Sequence, residues 1–215
     1  MITCVTYDNL KEFGDIFYKQ FLLRHEGFIE RQDYDVSVYK GMEYDQYDTP
    51  ASAYLIYHTD DNQVLGVNRL TPTTHSCMLR DLWPHLVHDK SLLSSPDVWE
   101  GTRYCIDKDV SPGLRQTIIH EMALAYLEFG LDLGLKKIIG MMPTYIYRSV
   151  FERPGIEMEY LGDVQVIGRH RIRAVAIPVD HAQKRNVQQK TGLTGTVLRY
   201  HLPSQERVSL YGRAA

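Results

Sequence analysis

The segment from residue 98 to residue 142 constrains the fold more than any other. Val98–Ile106 is apolar enough for a central strand, and residues 136–142 read as a second buried-type strand. Between them Ser111 and Pro112 supply a cap followed by a proline at the first helical position, and the helix runs to about Leu133, where Gly134 can stop it. Two buried strands and a long helix in succession need a sheet with a covered face, which points to a layered α/β domain.

The flanking sequence fits that plan. Residues 1–6 read as a short strand, and Asp8 is placed to cap a helix on which Leu10, Phe13, Ile16, Phe17, Phe21 and Leu22 recur at helical spacing. Residues 32–50, crowded with acids and tyrosines and broken by Gly41 and Pro50, read as a long loop or lid. Residues 53–58 and 63–70 form an antiparallel hairpin around the turn residues Thr59, Asp60, Asp61 and Asn62. Residues 73–95 are irregular, with a short helix around 81–88. A short helix over 145–153 ends at Pro154 and Gly155. Residues 159–166 and 171–179 make a final strand pair, 181–189 a helix, and the end is loosely packed. The expectation is one domain over 1–215, with a core over about 2–180 and an extension over about 181–215. It is built as a mixed central sheet with helices on both faces.

Composition removes several function classes. No apolar run reaches the length of a membrane span, and the N-terminus lacks a basic start followed by an apolar stretch. Cys4, Cys77 and Cys105 are odd in number and lack CxxC spacing, as expected of a reducing cytoplasm. Acidic and histidine residues show no metal-ligand spacing, so no metal is expected. Ser94 and Ser95 lack a GxSxG setting, and no basic helix or stacking motif suits nucleic acid. Charge is uneven. Residues 1–61 hold 12 acids and 5 bases, while the rest of the chain is net basic within an overall charge of −3. A basic second half suits an acidic partner or a phosphate-bearing substrate, or is a solvated surface of mixed charge.

Three groups of residues carry chemistry. Arg24, Phe28 and Tyr34 precede the run Glu43, Tyr44, Asp45, Gln46, Tyr47, Asp48. A cation, aromatic faces and two carboxylates three apart suit a small zwitterionic ligand with a flat ring, or form a surface loop of solvated acids. Glu100 and Arg103 interrupt the apolar strand Val98–Ile106. On a period of two they point to opposite faces unless a bulge intervenes, and Gly101 is the residue that permits one. Buried charges there need partners, either as a structural ion-pair network or as a site that positions a polar substrate. Arg69 ends a strand and is by itself an ordinary salt-bridging arginine.

In order and spacing these positions resemble the acyl-homoserine-lactone synthase (LuxI-type autoinducer synthase) family over about residues 2–180. Arg24, Phe28, Asp45, Asp48 and Arg69 match that family's pattern, with Tyr34 where tryptophan is usual. Met78 and Leu79 precede Trp83, where phenylalanine is usual. Trp99, Glu100, Arg103 and Tyr104 match a Trp-Glu-x-x-Arg-aromatic strand. The Thr144 region, running on to Arg153, Pro154, Gly155 and Ile156, is similar to the family's acyl-tunnel segment.

The resemblance implies an N-acetyltransferase-like fold and a bacterial cytoplasmic enzyme. It implies attack by the α-amine of S-adenosylmethionine on an acyl thioester, followed by lactonisation and release of methylthioadenosine. Glu100 is then the proton acceptor. Arg24, Phe28, Tyr34, Asp45, Asp48 and Arg103 bind S-adenosylmethionine, and Arg69 and Trp83 support the site. Met141, Met142 and Thr144 line the acyl pocket, Thr144 either reading an acyl oxygen or capping the helix at Tyr145. The donor is acyl-carrier protein or acyl-CoA, and no cofactor is needed. Two rivals stand beside this reading: an ordinary N-acetyltransferase, and a non-catalytic sensor of S-adenosylmethionine or an acyl ligand. The first is disfavoured because the stretch 107–115 has one glycine, and Pro112 removes a backbone donor from any pyrophosphate cradle.

Overall fold

The computed structural model describes residues 1–30 and 36–199. In chain order its elements are β1 (Ile2–Val5), α1 (Leu10–His25), β2 (Val38–Tyr39), β3 (Met42–Glu43), β4 (Ala53–His58), β5 (Val64–Pro72) and α2 (Met78–Leu82). They continue with β6 (Val98–Ile106), α3 (Pro112–Asp132), β7 (Lys137–Pro143), β8 (Glu159–Tyr160), β9 (Gln165–Ile167), β10 (His170–Pro178), α4 (His181–Thr191) and β11 (Leu198–Arg199). The main sheet runs β11-β1-β4-β5-β6-β7-β10-β8, with β9 also on β10.

Period-two alternation divides this sheet between two cores. On β4, Ala53, Leu55 and Tyr57 pack toward α3, while Tyr54 and Ile56 pack toward α1. A third cluster joins Leu79, Leu86, Val87 and Leu93 to Val98, Ile139 and Ile172, so the segment after β5 covers the far half of the α1 face. Helices therefore lie on both faces of a mixed sheet.

The sheet forks between β6 and β7. They pair in parallel at Val98 with Lys137, Trp99 with Ile138 and Glu100 with Ile139, and then diverge. Beyond that point β6 stays with β5, and β7 stays with β10. A Cβ on Gly140 would stand 2.8 Å from the Gly101 carbonyl oxygen, so the backbones at the mouth of the fork require glycine there. On its other edge β6 carries a bulge. Val67 faces Cys105 and Arg69 faces Thr102, which leaves one extra residue on β6. Arg103 adopts φ +57 in the left-handed region, so the distortion falls at Arg103 and Tyr104 rather than at Gly101.

Several boundaries differ from expectation. Asn9, not Asp8, precedes α1, and its side chain binds Thr6 N and Cys4 O instead of capping the helix. The helix expected around 81–88 begins at Met78, because Glu100 supplies acceptors for its first N–H groups. Residues 144–152 form a 3-10 turn and a π turn rather than one helix. Residues 192–199 are anchored rather than loose: Glu128 accepts from Val197 N at 3.0 Å and Leu198 N at 2.9 Å, seating β11 beside β1, while the rest of the end lies outside the described residues.

Candidate active site

A cavity of about 1230 Å³ passes through the fork. Its α1 side carries Phe28, Asp45, Tyr47, Met78 and Arg103. Its α3 side carries Tyr104, Ile119, Tyr126, Val150 and Phe151. The fork explains why one space reaches both faces. Where β6 and β7 part, no ladder hydrogen bonds close the sheet.

The charged wall is a network of three arginines and three carboxylates. Arg24 Nε donates to Glu43 Oε2 at 2.6 Å, and its two terminal nitrogens fork onto Asp48 at 2.8 and 2.9 Å. Arg69 forks onto Asp45 at 2.5 and 3.1 Å, reaches Asp48 at 3.0 Å and donates to Thr102 Oγ1 at 3.0 Å. Arg103 completes the ring on Glu43 at 3.0 Å and Asp45 at 2.5 Å, with its guanidinium 5.5 Å from the Phe28 ring centre. Tyr54 donates its hydroxyl to Asp48 at 2.8 Å. Arg24, Glu43 and Arg69 are fully buried, whereas Asp45 and Arg103 reach the cavity.

The electrostatics follow from that pairing. Burial alone would raise the Asp48 carboxyl, but the Arg24 hydrogen bonds and the charges of Arg69 and Arg24 hold it well below the usual carboxylate range. Asp45 is lowered in the same way: burial opposes the shift, and Arg69 and Arg103 outweigh it. Glu100 goes the other way. Burial pushes its carboxyl up to about 7, against the lowering effect of N–H bonds from Leu79 at 2.6 Å and Met78 at 2.7 Å.

The fold brings Phe28, Asp45, Trp83, Arg103, Met141 and Met142 onto the cavity wall. Arg24, Asp48 and Arg69 lie behind it, each turned to other members of the network. Glu100 also lies behind the wall, tethering the start of α2. Thr144 is the first residue of its turn, with Pro143 in the cap position, so the expected cap on a helix at Tyr145 does not form. The lining takes Pro143 and Tyr145 but not Thr144. Tyr34 lies outside the described residues.

Sequence reasoning named Glu43 in the acidic run but gave it no role, although it is the network's third carboxylate. Three arginines in apolar surroundings with only two chosen acids was the signal, since a buried cation needs a partner. It also passed over Asn68, a polar residue in the middle of β5, and Tyr126 on α3. Among the described residues no group of three His, Cys, Asp or Glu could hold a metal ion, and no helix is long and apolar enough to cross a membrane.

The family model for autoinducer synthases matches residues 9–187. An isovaleryl-homoserine lactone synthase from Bradyrhizobium diazoefficiens is 29% identical over 163 residues, 75% of this chain and 72% of that protein. The solved structure of BjaI, a CoA-dependent acyl-homoserine lactone synthase with SAM and isopentyl-CoA, superposes with a TM-score of 0.85. It is 25% identical and covers 98% of this chain and 99% of that one. An acyl-CoA N-acyltransferase from Pseudomonas aeruginosa, 16% identical over 82% of this chain and 98% of that one, shares the fold at a TM-score of 0.53.

Proposed function

The chain belongs to the autoinducer synthase family and is an acyl-homoserine-lactone synthase, and on that premise we propose how its cavity divides the reaction between two substrates. S-adenosylmethionine occupies the α1 side, against Phe28, Asp45 and Arg103. The acyl chain of the second substrate enters the fork and lies against Met141, Met142 and the α3 side. The observation that carries this reading is the single cavity, charged on one face of the sheet and apolar on the other.

In the first step the α-amine attacks the thioester carbonyl, a C–N bond forms, and the thiol leaves with a proton. The amine must lose its own proton to attack. Glu100 accepts it, with a pKa near 7 suited to that work around neutral pH. A carboxylate has about four lone-pair sites. Two are taken by Met78 and Leu79, so the transfer runs through a bridging water to the free positions. Backbone N–H groups on the edge of β6 left open by the fork steady the carbonyl oxygen as it gains charge. In the second step the substrate carboxylate attacks its own γ-carbon and expels methylthioadenosine. The sulfonium is already a good leaving group, so this step needs a held conformation more than an acid. Arg24, Asp48 and Arg69 act through Asp45 and Arg103, fixing the two that touch substrate. The balance closes with the two substrates alone, without a cofactor.

The donor is an acyl-CoA, the form named for BjaI, and the setting is the cytoplasm, where both substrates are made. Mass spectrometry of organic extracts from cells expressing the gene tests the reading. A homoserine-lactone fragment absent from the empty-vector control supports it, and folded protein without that fragment overturns it. With purified protein, turnover only on acyl-carrier protein would replace the donor and keep the activity.

A further inference from the structure

On α3, Ile119 and Tyr126 stand seven residues apart, so about two helical turns bring both onto the face that lines the cavity. Tyr126 keeps 3% of its surface open, and its hydroxyl has no hydrogen-bond partner among the described residues. The two phenols of this wall differ in access. Tyr104 Oη is sealed from the cavity, whereas Tyr126 Oη is not. Burial holds the Tyr126 phenol well above its ordinary value of 10, so it keeps its proton at neutral pH and can donate.

Gly101 fixes where that donor stands along the acyl path. A Cβ on Gly101 would lie 2.8 Å from Tyr126 Oη, so the phenol closes directly onto the strand. β6 and β7 pair as far as Glu100 and Ile139, and Gly101 is the first residue beyond them. The hydroxyl is therefore at the opening of the fork, beside the carbons next to the thioester rather than near the far end of the chain. Its surroundings are apolar: the Phe151 ring centre is 6.0 Å away, and Ile119 and Val150 share the wall. Ser149 on the same wall spends its hydroxyl on Ile146 O at 3.1 Å. A plain alkyl chain entering here strips water from the phenol and returns no acceptor, whereas an oxygen on the chain restores the hydrogen bond.

We propose that Tyr126 determines donor specificity: its hydroxyl donates to an oxygen on the third acyl carbon, so the enzyme favours donors oxygenated there over plain acyl groups. The thioester carbonyl, carbon one, is met by the open edge of β6, which leaves Tyr126 for the carbons that follow. The inference rests on the synthase reading and names its second substrate more closely. A ketone and a hydroxyl both present an acceptor to Tyr126, and the test separates the two.

Lactone formation is compared among 3-oxoacyl-CoA, 3-hydroxyacyl-CoA and plain acyl-CoA, each at butanoyl, octanoyl and dodecanoyl length. At the length used best, at least one oxygenated donor should show roughly tenfold higher kcat/KM than its plain counterpart, the scale of one well-made hydrogen bond. The donor that responds identifies the group read. Tyr126→Phe should bring that ratio close to one without lowering Tm, because the hydroxyl has no partner among the described residues to lose. A Tyr126→Phe protein that loses the same factor on every donor would place the hydroxyl on the thioester carbonyl, which all donors share, and would overturn the proposal. A lowered Tm with the ratio intact would overturn it as well, by giving the hydroxyl to the fold. Equal wild-type rates on oxygenated and plain donors overturn the proposal while leaving lactone synthesis standing. No lactone from any donor in the panel overturns both.

Discussion

On the α1 side of the fork the cavity wall consists of charged groups that already satisfy one another, whereas the α3 side is lined by Tyr104, Ile119, Tyr126, Val150 and Phe151. The first wall is preorganised. Three guanidinium groups and three carboxylates hold their geometry before any ligand arrives, so a substrate meets fixed donors and acceptors. The second wall is aromatic and apolar, and its shape is set by packing. The difference separates roles that distance in sequence conceals. Arg24 and Arg103 belong to one network, yet Arg24 is wholly enclosed by protein while the Arg103 side chain keeps 11% of its surface open at the cavity.

Breaking the enclosed side should have the largest effect. Arg24→Met leaves Glu43 and Asp48 sharing the remaining arginines in a dry interior. Removing one partner from such a network costs roughly 3–5 kcal/mol, so urea unfolding should shift strongly or the protein should fail to fold. A midpoint within the scatter of wild type would show the network to be wet and weak.

Glu100→Gln separates chemistry from anchoring. A positioned base contributes about 10²–10⁴-fold, and turnover should fall in that range while near-native circular dichroism is retained. The pH dependence gives a second reading. A carboxyl raised from 4.5 to about 7 favours the fold most at low pH, and that contribution is lost as pH rises through this window. By linkage the loss is roughly 3 kcal/mol, and Glu100→Gln should flatten it. The depressed Asp45 and Asp48 act oppositely: their contribution is present above their ordinary value of 3.8 and is lost as pH falls below it. A variant with unchanged turnover and an unchanged pH slope would assign Glu100 to neither task.

Arg103→Met should be milder for the fold and selective for one substrate. Water can replace part of what is lost at the cavity edge, and Glu43 and Asp45 keep Arg24 and Arg69. Charge-assisted hydrogen bonds contribute about 1.5–3 kcal/mol each, so kcat/KM for S-adenosylmethionine should drop by tenfold or more. An equal drop for both substrates would remove the division between the two walls. The smallest effect is expected at Thr144, which lies off the cavity wall. Thr144→Val should change stability by no more than about 0.5 kcal/mol and leave the donor ranking unchanged, whereas Met142→Ala should alter that ranking.

The sequence already contained the frame of this architecture. Val98–Ile106 matches β6 at both ends, and Ser111 and Pro112 mark the start of α3, because capping and burial are local properties. The fork was not legible. Parallel pairing between β6 and β7 stops for reasons of register and close glycine contact, which neither strand announces alone. The bulge was foreseen as a possibility but assigned to Gly101. The actual distortion puts a non-glycine residue, Arg103, at positive φ, and its two carboxylate partners come from β3 and the residues just after it, far away in sequence. The same reasoning explains why Arg24 and Arg103 looked equivalent in sequence: their residue types announce charge, and only packing decides which one a substrate can touch.

The division of one cavity between an amine substrate and an acyl thioester is tested most directly by product stoichiometry. Purified protein supplied with S-adenosylmethionine and acyl-CoA should release methylthioadenosine and N-acyl homoserine lactone in equal amounts throughout the reaction. Acyl transfer that consumes thioester across a broad donor panel without releasing methylthioadenosine would contradict the account and make the protein an ordinary N-acyltransferase on the same fold.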